Sequence, residues 1–351
     1  MHPLPGPEGP SPVSAELPPA DPNDLSSVAS TQEDRYEQLI PKPLPPPQGR
    51  LWVQLLLLGL TLVTTTIAGG CHFYSFSIDL ATAGDPRPAV EPLFSDPMFY
   101  VRGLWYSLTI LAILGCHEMG HYIACLRYGV LATRPYFLPA PVFLTGTLGA
   151  FIRIRSRIPN KTALFDIGIA GPLAGFAVAV PALFAGLLLS RVDRLPVDQS
   201  GLIELGEPLL FQFAAWLIWG NVADGYSINM HPMAFAAWFG LLATALNLFP
   251  IAQLDGGHIS YAVLGSRSTL LTLVMVAVAI FLATVSSSWI AWTVLLVVMI
   301  VTLGPRHPPT LYDDEPIGTP RIVLAAAAMI ILASCFTPAP IGEFLGAGGT
   351  E

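Results

Sequence analysis

Charged side chains are scarce in this chain of 351 residues. Asp, Glu, Lys and Arg make up 11% of it, against roughly 25% in ordinary soluble domains, while apolar residues make up 53%. The net charge of −8 is modest, and no basic cluster or interleaving of basic with aromatic residues is present, so we expect no nucleic-acid partner. Several apolar runs reach the roughly 18–20 residues that cross a bilayer, which predicts a multi-pass membrane protein.

Cysteine is also rare. None of the four cysteines belongs to a CxxC pair, and two of them, Cys116 and Cys125, lie in an apolar segment where free cysteine usually packs as a small apolar residue. The sequence therefore predicts neither a disulfide framework nor a cysteine-held metal. The first 50 residues lack the apolar stretch of a signal peptide, so we expect none there.

The chain divides into a polar tail and a membrane domain. Residues 1–50 carry 13 prolines, seven acidic and three basic residues, which predicts a disordered cytoplasmic tail. Residues 51–351 are expected to form an all-α polytopic membrane domain. The apolar run 209–219 is too short to span and is expected to lie at the interface or to re-enter. About seven transmembrane helices are predicted: 51–69, 103–125, 163–189, 232–250, 268–286, 288–304 and 321–337.

The positions of lysine and arginine orient these helices. With the N-terminus in the cytoplasm, twelve basic residues face inside and four face outside. The second and fourth predicted helices then both run from outside to inside, and their C-terminal ends are expected to meet on the cytoplasmic side. We therefore expect a protein of the cell membrane with its N-terminus in the cytoplasm.

The segment 131–152 cannot form a regular helix, because Pro135, Pro139 and Pro141 interrupt it. Its apolar residues and glycines instead predict a short hairpin or re-entrant loop beside the second helix. Non-helical backbone at membrane depth persists only where protein buries it or where it lines a wet cavity. The segment thus indicates a cavity nearby.

The second predicted helix contains the pentapeptide His117-Glu118-Met119-Gly120-His121. Histidines four residues apart project from one helical face and can reach one metal ion. Glu118, beside them, can accept a proton from the attacking water and later deliver it to the leaving amine. The alternative is a pair of histidines that only pack between helices. Polar side chains in an apolar span need partners, which favours the metal site.

A catalytic zinc needs a third protein ligand and an open position. Asp255 is the only acidic residue between Asp224 and Asp313, and it follows the end of the fourth predicted helix. The orientation of the helices places it at the depth of the two histidines. Asp255 could also cap the helix that follows it, and His258 could be the third ligand instead.

Two further motifs carry a resemblance to a known family. The pentapeptide, together with Asn247-x-x-Pro250-x-x-x-Leu254-Asp255-Gly256-Gly257, closely resembles the site-2 protease family of intramembrane zinc metalloproteases. Ala170-Gly171-Pro172-Leu173-Ala174-Gly175 is similar to the glycine-proline signature of that family's central helix. Where the family often has asparagine, this chain has Gly175, for which we expect a packing contact.

The resemblance covers about residues 100–260, a three-helix catalytic core with its membrane-associated strand segment, and leaves about 268–337 as accessory helices. It implies one zinc ion per chain, held by His117, His121 and Asp255, with Glu118 as general acid and base. It also implies that Asn247 positions substrate or stabilises the oxyanion, as an amide donor can. An interhelical hydrogen bond is the alternative role for this asparagine.

The segment 143–157 looks like the strand segment of family members that lack a PDZ domain. Its backbone could pair with an unwound substrate as an added strand, which makes Thr145, Gly146, Leu148 and Gly149 the candidate substrate-binding residues. The loop 190–231 is too short for a PDZ domain and shows no strand series, so we expect none.

Three other polar residues are assigned structural roles. Asp166 lies near the start of the third predicted helix, where a carboxylate complements the helix dipole. His72 and His231 are expected in solvated loops on the outside.

The first functional hypothesis is an intramembrane zinc endopeptidase that cuts transmembrane segments near the cytoplasmic side. The resemblance implies that its substrates are membrane-tethered regulatory proteins or remnant signal peptides. The alternatives are a metal transporter that uses the same His/Asp set and a protease-like binding protein without catalysis. Glu118 separates the first two, because transport needs no acid/base group.

Overall fold

The structure, a computed structural model, describes residues 49–78, 96–141, 144–196 and 203–343. These residues belong to one structural unit, Pro45–Glu351. Residues 1–48, nearly all of the predicted disordered tail, lie outside the described residues. The described part is mostly helical, as predicted. Its α-helices are, in chain order, α1 (Leu51–Ser77), α2 (Met98–Arg127), α3 (Lys161–Leu189), α4 (Leu209–Trp219), α5 (Pro232–Leu248), α6 (Asp255–Leu264), α7 (Ser268–Val285), α8 (Ser288–Leu303) and α9 (Thr319–Cys335).

Four helical segments are long and apolar enough to cross a membrane. Three of them are α1, α2 and α3, and the fourth is Asp255–Val285, in which a short 3₁₀ turn (Gly265–Arg267) joins α6 to α7. The shorter apolar helices α5, α8 and α9 have 17, 16 and 17 residues. The prediction of seven spans is thus confirmed only in part, because these three helices fall below the length of a clear span.

Small residues let the helices of the core approach closely. α2 packs along α1 on one side and α3 on the other, and α3 also packs on α5 and α6. A Cβ atom added at Gly103, Gly120 or Gly186 would lie less than 3.0 Å from the backbone of the neighbouring helix. Close backbone contact of this kind is typical of helix packing in membranes. It brings the middle of α2 directly against α3.

The described parts of segment 131–152 contain an antiparallel pair of strands, β1 at Tyr136–Pro139 and β2 at Thr147–Phe151, referred to below as the hairpin. The rings of Tyr136 and Phe151 stack across it, with their centroids 5.5 Å apart. The hairpin is fastened to α1, because Gln54 donates from Nε2 to the carbonyl of Arg134 at 3.0 Å. The hairpin is therefore present, while its depth in a membrane stays a prediction.

Short strands also occur where none was expected. Segment 190–231 contains β3 (Arg191–Arg194), β4 (Ile203–Leu205) and β5 (Tyr226–Asn229) in addition to α4. Strand β3 pairs with β5, and β4 pairs with β6 (Ile341–Glu343), both in antiparallel fashion. The segment was expected to show no strand series, and it contains these three short strands. These pairings join segments distant in sequence, which local patterns cannot reveal.

The two histidines assigned to solvated loops are packed into the protein. His72 lies within α1, and its Nε2 atom is 2.9 Å from the carbonyl oxygen of Leu144. His231 is 5% exposed and caps α5, where its Nδ1 atom accepts from the backbone N–H of Met233. The prediction for these two residues is wrong, because each side chain satisfies a specific backbone group.

Candidate metal centre

The structure brings His117, His121 and Asp255 together. The Nε2 atoms of the two histidines lie 3.1 Å apart, and each lies 3.3 Å from Oδ2 of Asp255. Both histidines are 7% exposed, and the Asp255 side chain is 15% exposed. Among the described residues this is the one group of three or more His, Cys, Asp or Glu side chains that could hold a metal ion.

The chemistry of this group calls for a cation. Nδ1 of His121 lies 2.7 Å from the carbonyl oxygen of Ile167, so Nδ1 carries an N–H, and in the neutral imidazole that binds metals Nε2 then has a lone pair. That lone pair faces the acceptor oxygen of Asp255, and two buried acceptors do not stabilise each other. Two ligand atoms at about 2.0–2.1 Å from a tetrahedral zinc lie about 3.3 Å apart. The spacing of the three atoms fits this geometry.

The backbone folds back sharply to present Asp255. After α5 ends, the chain turns through Pro250 and through Ala252, whose φ of +36° is unusual for a residue with a Cβ atom. A Cβ atom at Gly256 or Gly257 would lie less than 3.0 Å from backbone carbonyls of residues 248–252. The two glycines that follow Asp255 are thus required by the turn.

The position of Asp255 refines the sequence interpretation. Asp255, expected just after the fourth predicted helix, is the first residue of a separate helix, α6. Its alternative role as a helix cap is wrong, because Leu254 is the N-cap residue. The turn is held from the accessory side by Thr272, whose Oγ1 accepts from the backbone N–H of Ala252 at 3.1 Å.

Glu118 and Asn247 lie at the edge of the cluster. Oε1 of Glu118 is 4.0 Å from Nε2 of His117, and the Glu118 side chain is 10% exposed. The backbone of Ile152, directly after β2, lies near this carboxylate. On another side, Nδ2 of Asn247 lies 3.4 Å from Nε2 of His117. A carboxylate and an amide donor therefore both face the three clustered atoms.

Helix α3 shapes the space for the histidines. A Cβ atom at Gly171 would overlap the His121 ring, and one at Gly175 would lie 3.1 Å from Cβ of His117. The packing contact expected for Gly175 is thus present. Gly171 has a more direct role than its motif alone indicated, because its missing side chain gives the His121 imidazole its place.

His258 takes no part in the cluster. Its Nδ1 atom lies 2.7 Å from Nε2 of His307, in the loop between α8 and α9. Burial lowers the pKa of His307, although the Pro308 carbonyl and the Asp313 carboxylate act in the opposite direction. The two imidazoles share one hydrogen bond. The alternative of His258 as third ligand is not supported by this geometry.

The four candidate substrate-binding residues separate into two pairs. The carbonyl of Thr145 accepts from Tyr106 Oη at 2.9 Å, and the carbonyl of Gly146 accepts from Thr64 Oγ1 at 2.6 Å. These two residues fasten the turn of the hairpin to α2 and α1. Leu148 is instead 74% exposed, and a Cβ atom at Gly149 would meet nothing within 4 Å.

One polar contact near the site was missed from the sequence. Asp166 binds Arg321 of α9 through two hydrogen bonds of 2.8 Å and also accepts from the hydroxyl of Tyr128. Asp166 lies beyond the first turn of α3, so the expected dipole role is wrong. No local signal could reveal a partner 155 residues away.

The sequence matches the family model described as "Peptidase family M50" over residues 105–286, just over half of the chain. The matched segment includes most of α2 and all of α3, α5 and α6, and thus every member of the cluster. It ends before α8 begins.

Three curated relatives of this chain are plant proteins. Over 281 residues the chain is 31% identical to "Probable zinc metalloprotease EGY1, chloroplastic" of Oryza sativa subsp. japonica, which covers 76% of this chain and 46% of the relative. The Arabidopsis thaliana protein of that name is 30% identical over 279 residues, 75% of this chain and 48% of the relative. "Probable zinc metalloprotease EGY2, chloroplastic" of Arabidopsis thaliana is 29% identical over 235 residues, which are 66% of this chain and 42% of the relative. The chain spans about half the length of the curated relatives it matches.

Proposed function

Because this chain belongs to peptidase family M50, the site-2 protease family, we propose that it is a zinc metallopeptidase that hydrolyses peptide bonds of transmembrane segments. The observation that carries the proposal is the position of Glu118. Its carboxylate is buried in an apolar helix and lies 4.0 Å from Nε2 of His117. Ionisable groups at such a place are costly and are functional candidates. A site for metal storage or transport would not need this carboxylate.

The proposed centre holds one zinc ion on His117, His121 and Asp255. When bound, zinc supplies the Lewis acidity that polarises a peptide carbonyl and makes water nucleophilic near neutral pH. Glu118 takes the proton from the attacking water and gives it to the leaving amine. Asn247 donates its amide N–H to the carbonyl oxygen as negative charge develops there. Each of these residues lies at the cluster or within 4.0 Å of one of its atoms.

The exposed edge of β2 is proposed to hold the substrate. Within the described residues β2 pairs only with β1, so its other edge has no strand partner. The backbone N–H of Gly149 donates to Oγ1 of Thr147 at 3.0 Å, a local bond that an incoming strand would replace. A helical substrate hides its amides, and it must unwind locally before it can be cut. An unwound segment can add to this edge as a further strand, with Leu148 and Gly149 beside it. Thr145 and Gly146 support that contact by holding the turn.

The topology remains a proposal of seven spans with a re-entrant hairpin. The N-terminus and the metal centre are proposed to lie on the cytoplasmic side of the cell membrane, on the basis of the twelve-to-four bias of basic residues. The plant relatives carry the word "chloroplastic" in their names. Protease protection of a tagged N-terminus tests the proposed orientation, and membrane fractionation tests the proposed location in the cell membrane.

The proposed substrates are single-pass membrane-tethered regulatory proteins or remnant signal peptides, cut near the cytoplasmic side. No PDZ-type domain is proposed to select them, since the described parts of segment 190–231 hold only short paired strands and one helix of 11 residues. Selection must then depend on the membrane-embedded surfaces around the site.

Metal removal tests the proposed activity. The purified full chain, in proteoliposomes with a transmembrane reporter, is treated with a zinc chelator and then with added zinc. We expect cleavage to stop on chelation and to return with zinc but not with magnesium. His121→Ala should abolish cleavage, whereas His307→Gln, a change outside the cluster, should retain it. Cleavage that persists without metal, or in the His121 variant, would refute a zinc peptidase.

A further inference from the structure

An apolar pocket adjoins the candidate metal centre. It lies between the end of α5, the loop 249–254 and α8, and its empty volume, mouth included, is about 400 Å³. Leucine, methionine and aromatic side chains form its wall, together with a single amide, that of Asn247. A wall of this composition accepts an apolar group and disfavours a charged one.

Two residues connect the pocket to the metal centre. Asn247 lines the pocket, and its Nδ2 atom is 3.4 Å from Nε2 of His117. Leu254 lines the same pocket and is joined by a peptide bond to Asp255. A side chain in the pocket therefore lies beside the atoms at which hydrolysis is proposed. On a bound substrate, that side chain belongs to a residue adjacent to the scissile bond.

The pocket combines a fixed floor with a less constrained rim. Trp289 is 1% exposed, and its indole N–H donates to the carbonyl of Pro338 at 2.8 Å. Its ring packs on Phe249, with centroids 5.8 Å apart. Trp292, one turn further along α8, is 36% exposed, and Met299 is half-buried. The rim residues therefore set how large a group the pocket accepts.

We propose that this pocket binds one substrate side chain next to the scissile bond and selects an apolar group of leucine or phenylalanine size. The inference rests on the proposed peptidase function and deepens it. The enclosed space of the pocket is about 50 Å³, smaller than the dry cavity of about 150 Å³ that can bind benzene, so a side chain of this size also fills the open mouth and rests against the rim residues Trp292 and Met299. Helix α8 lies outside the family match at residues 105–286. The preference is therefore a property of an accessory helix of this chain.

A leucine scan tests the proposal. The probes are lysine-flanked, alanine-rich transmembrane peptides of about 25 residues, long enough to span a bilayer, with a single leucine moved one position at a time. The full chain cleaves them in detergent, and mass spectrometry locates each cut. We expect the main cut to move with the leucine at a constant offset, and cleavage about tenfold faster than for the all-alanine peptide. A cut position that ignores the leucine overturns the proposal.

Variants of α8 link the preference to the pocket. Met299→Trp fills the pocket, whereas Val298→Trp adds the same bulk at an exposed position that does not line it. We expect the first variant to lose the leucine preference about tenfold and the second to keep it. Trp292→Ala enlarges the pocket and should shift the preference toward tryptophan. An unchanged preference in both pocket variants overturns the proposal.

A binding measurement separates this proposal from the peptidase function. Fluorescent versions of the same peptides are titrated with the Glu118→Gln variant, which needs no hydrolysis to report recognition. We expect the leucine peptide to bind about tenfold more tightly than the alanine peptide, and Met299→Trp to remove the difference. Selective binding without cleavage by the unmodified chain would support the pocket and refute the peptidase. Metal-dependent cleavage without leucine preference would support the peptidase and refute the pocket.

Discussion

Gly171 of α3 lies against the imidazole of His121 so closely that a methyl group cannot fit between them. A Cβ atom at position 171 would lie less than 3.0 Å from three atoms of the ring. One turn earlier on α3, the carbonyl of Ile167 accepts the Nδ1–H of the same histidine at 2.7 Å. Helix α3 therefore orients the candidate ligand His121 in two ways. The Ile167 carbonyl binds its Nδ1–H, and Gly171 leaves the space that its ring occupies.

Gly171→Ala is expected to displace the His121 ring and to lower the zinc content of the purified chain well below one equivalent. The physical reason is overlap between the added methyl group and the ring. Gly59→Ala is the matched control, because a Cβ atom there, in α1, meets nothing within 4 Å. We expect that variant to keep its zinc. Metal analysis of both proteins makes the comparison, and full zinc in the Gly171 variant would contradict the proposed packing role.

Asp255→Asn and His258→Gln distinguish the two candidates for the third ligand. Asp255 lies 3.3 Å from both histidine Nε2 atoms, whereas His258 is engaged with His307. We expect the first variant to lose zinc and the second to retain about one equivalent per chain. The reverse result would assign the ligand to His258. Circular dichroism confirms that both variants remain folded.

The grouping of His117, His121 and Asp255 is the part of the structure that the sequence predicts best. His117 and His121 follow from their spacing on a helix, and Asp255 follows from its isolation in an apolar context. Their meeting in space depended on helix direction, for which the basic residues supplied the evidence. The predicted span 268–286 matches α7 closely, but α6 was not among the predicted spans. The positive φ of Ala252 and the start of α6 at Asp255 depend on tertiary packing that no local pattern encodes.

The exposed strand edge leads to a different prediction. Leu148→Pro removes a backbone N–H from β2 and should reduce cleavage of a transmembrane reporter while leaving zinc in place. Leu148→Ala, which keeps the backbone intact, should retain most activity, since the side chain is 74% exposed. Rates and zinc content are measured on the same preparations. Undiminished cleavage by the proline variant would remove β2 from substrate binding.

The ion pair between Asp166 and Arg321 leads to a prediction about stability. It ties the family-matched segment to α9, and the two side chains are 27% and 29% exposed. A double-mutant cycle with Asp166→Asn and Arg321→Met should give a coupling free energy of about 1 kcal/mol. Arg321→Lys should recover only part of it, because lysine lacks the two-pronged donor geometry. Thermal unfolding in detergent supplies the values, and additive effects would show that the pair is not coupled.

The Glu118→Gln variant tests the central claim most directly. Glutamine keeps the size of the side chain and removes its ability to carry a proton, while His117, His121 and Asp255 remain in place. Zinc content and cleavage of a transmembrane reporter are measured on the same purified protein. The account predicts about one zinc per chain and a loss of cleavage of at least about 100-fold, the low end for a general acid–base group. Undiminished cleavage by the zinc-loaded variant would contradict it.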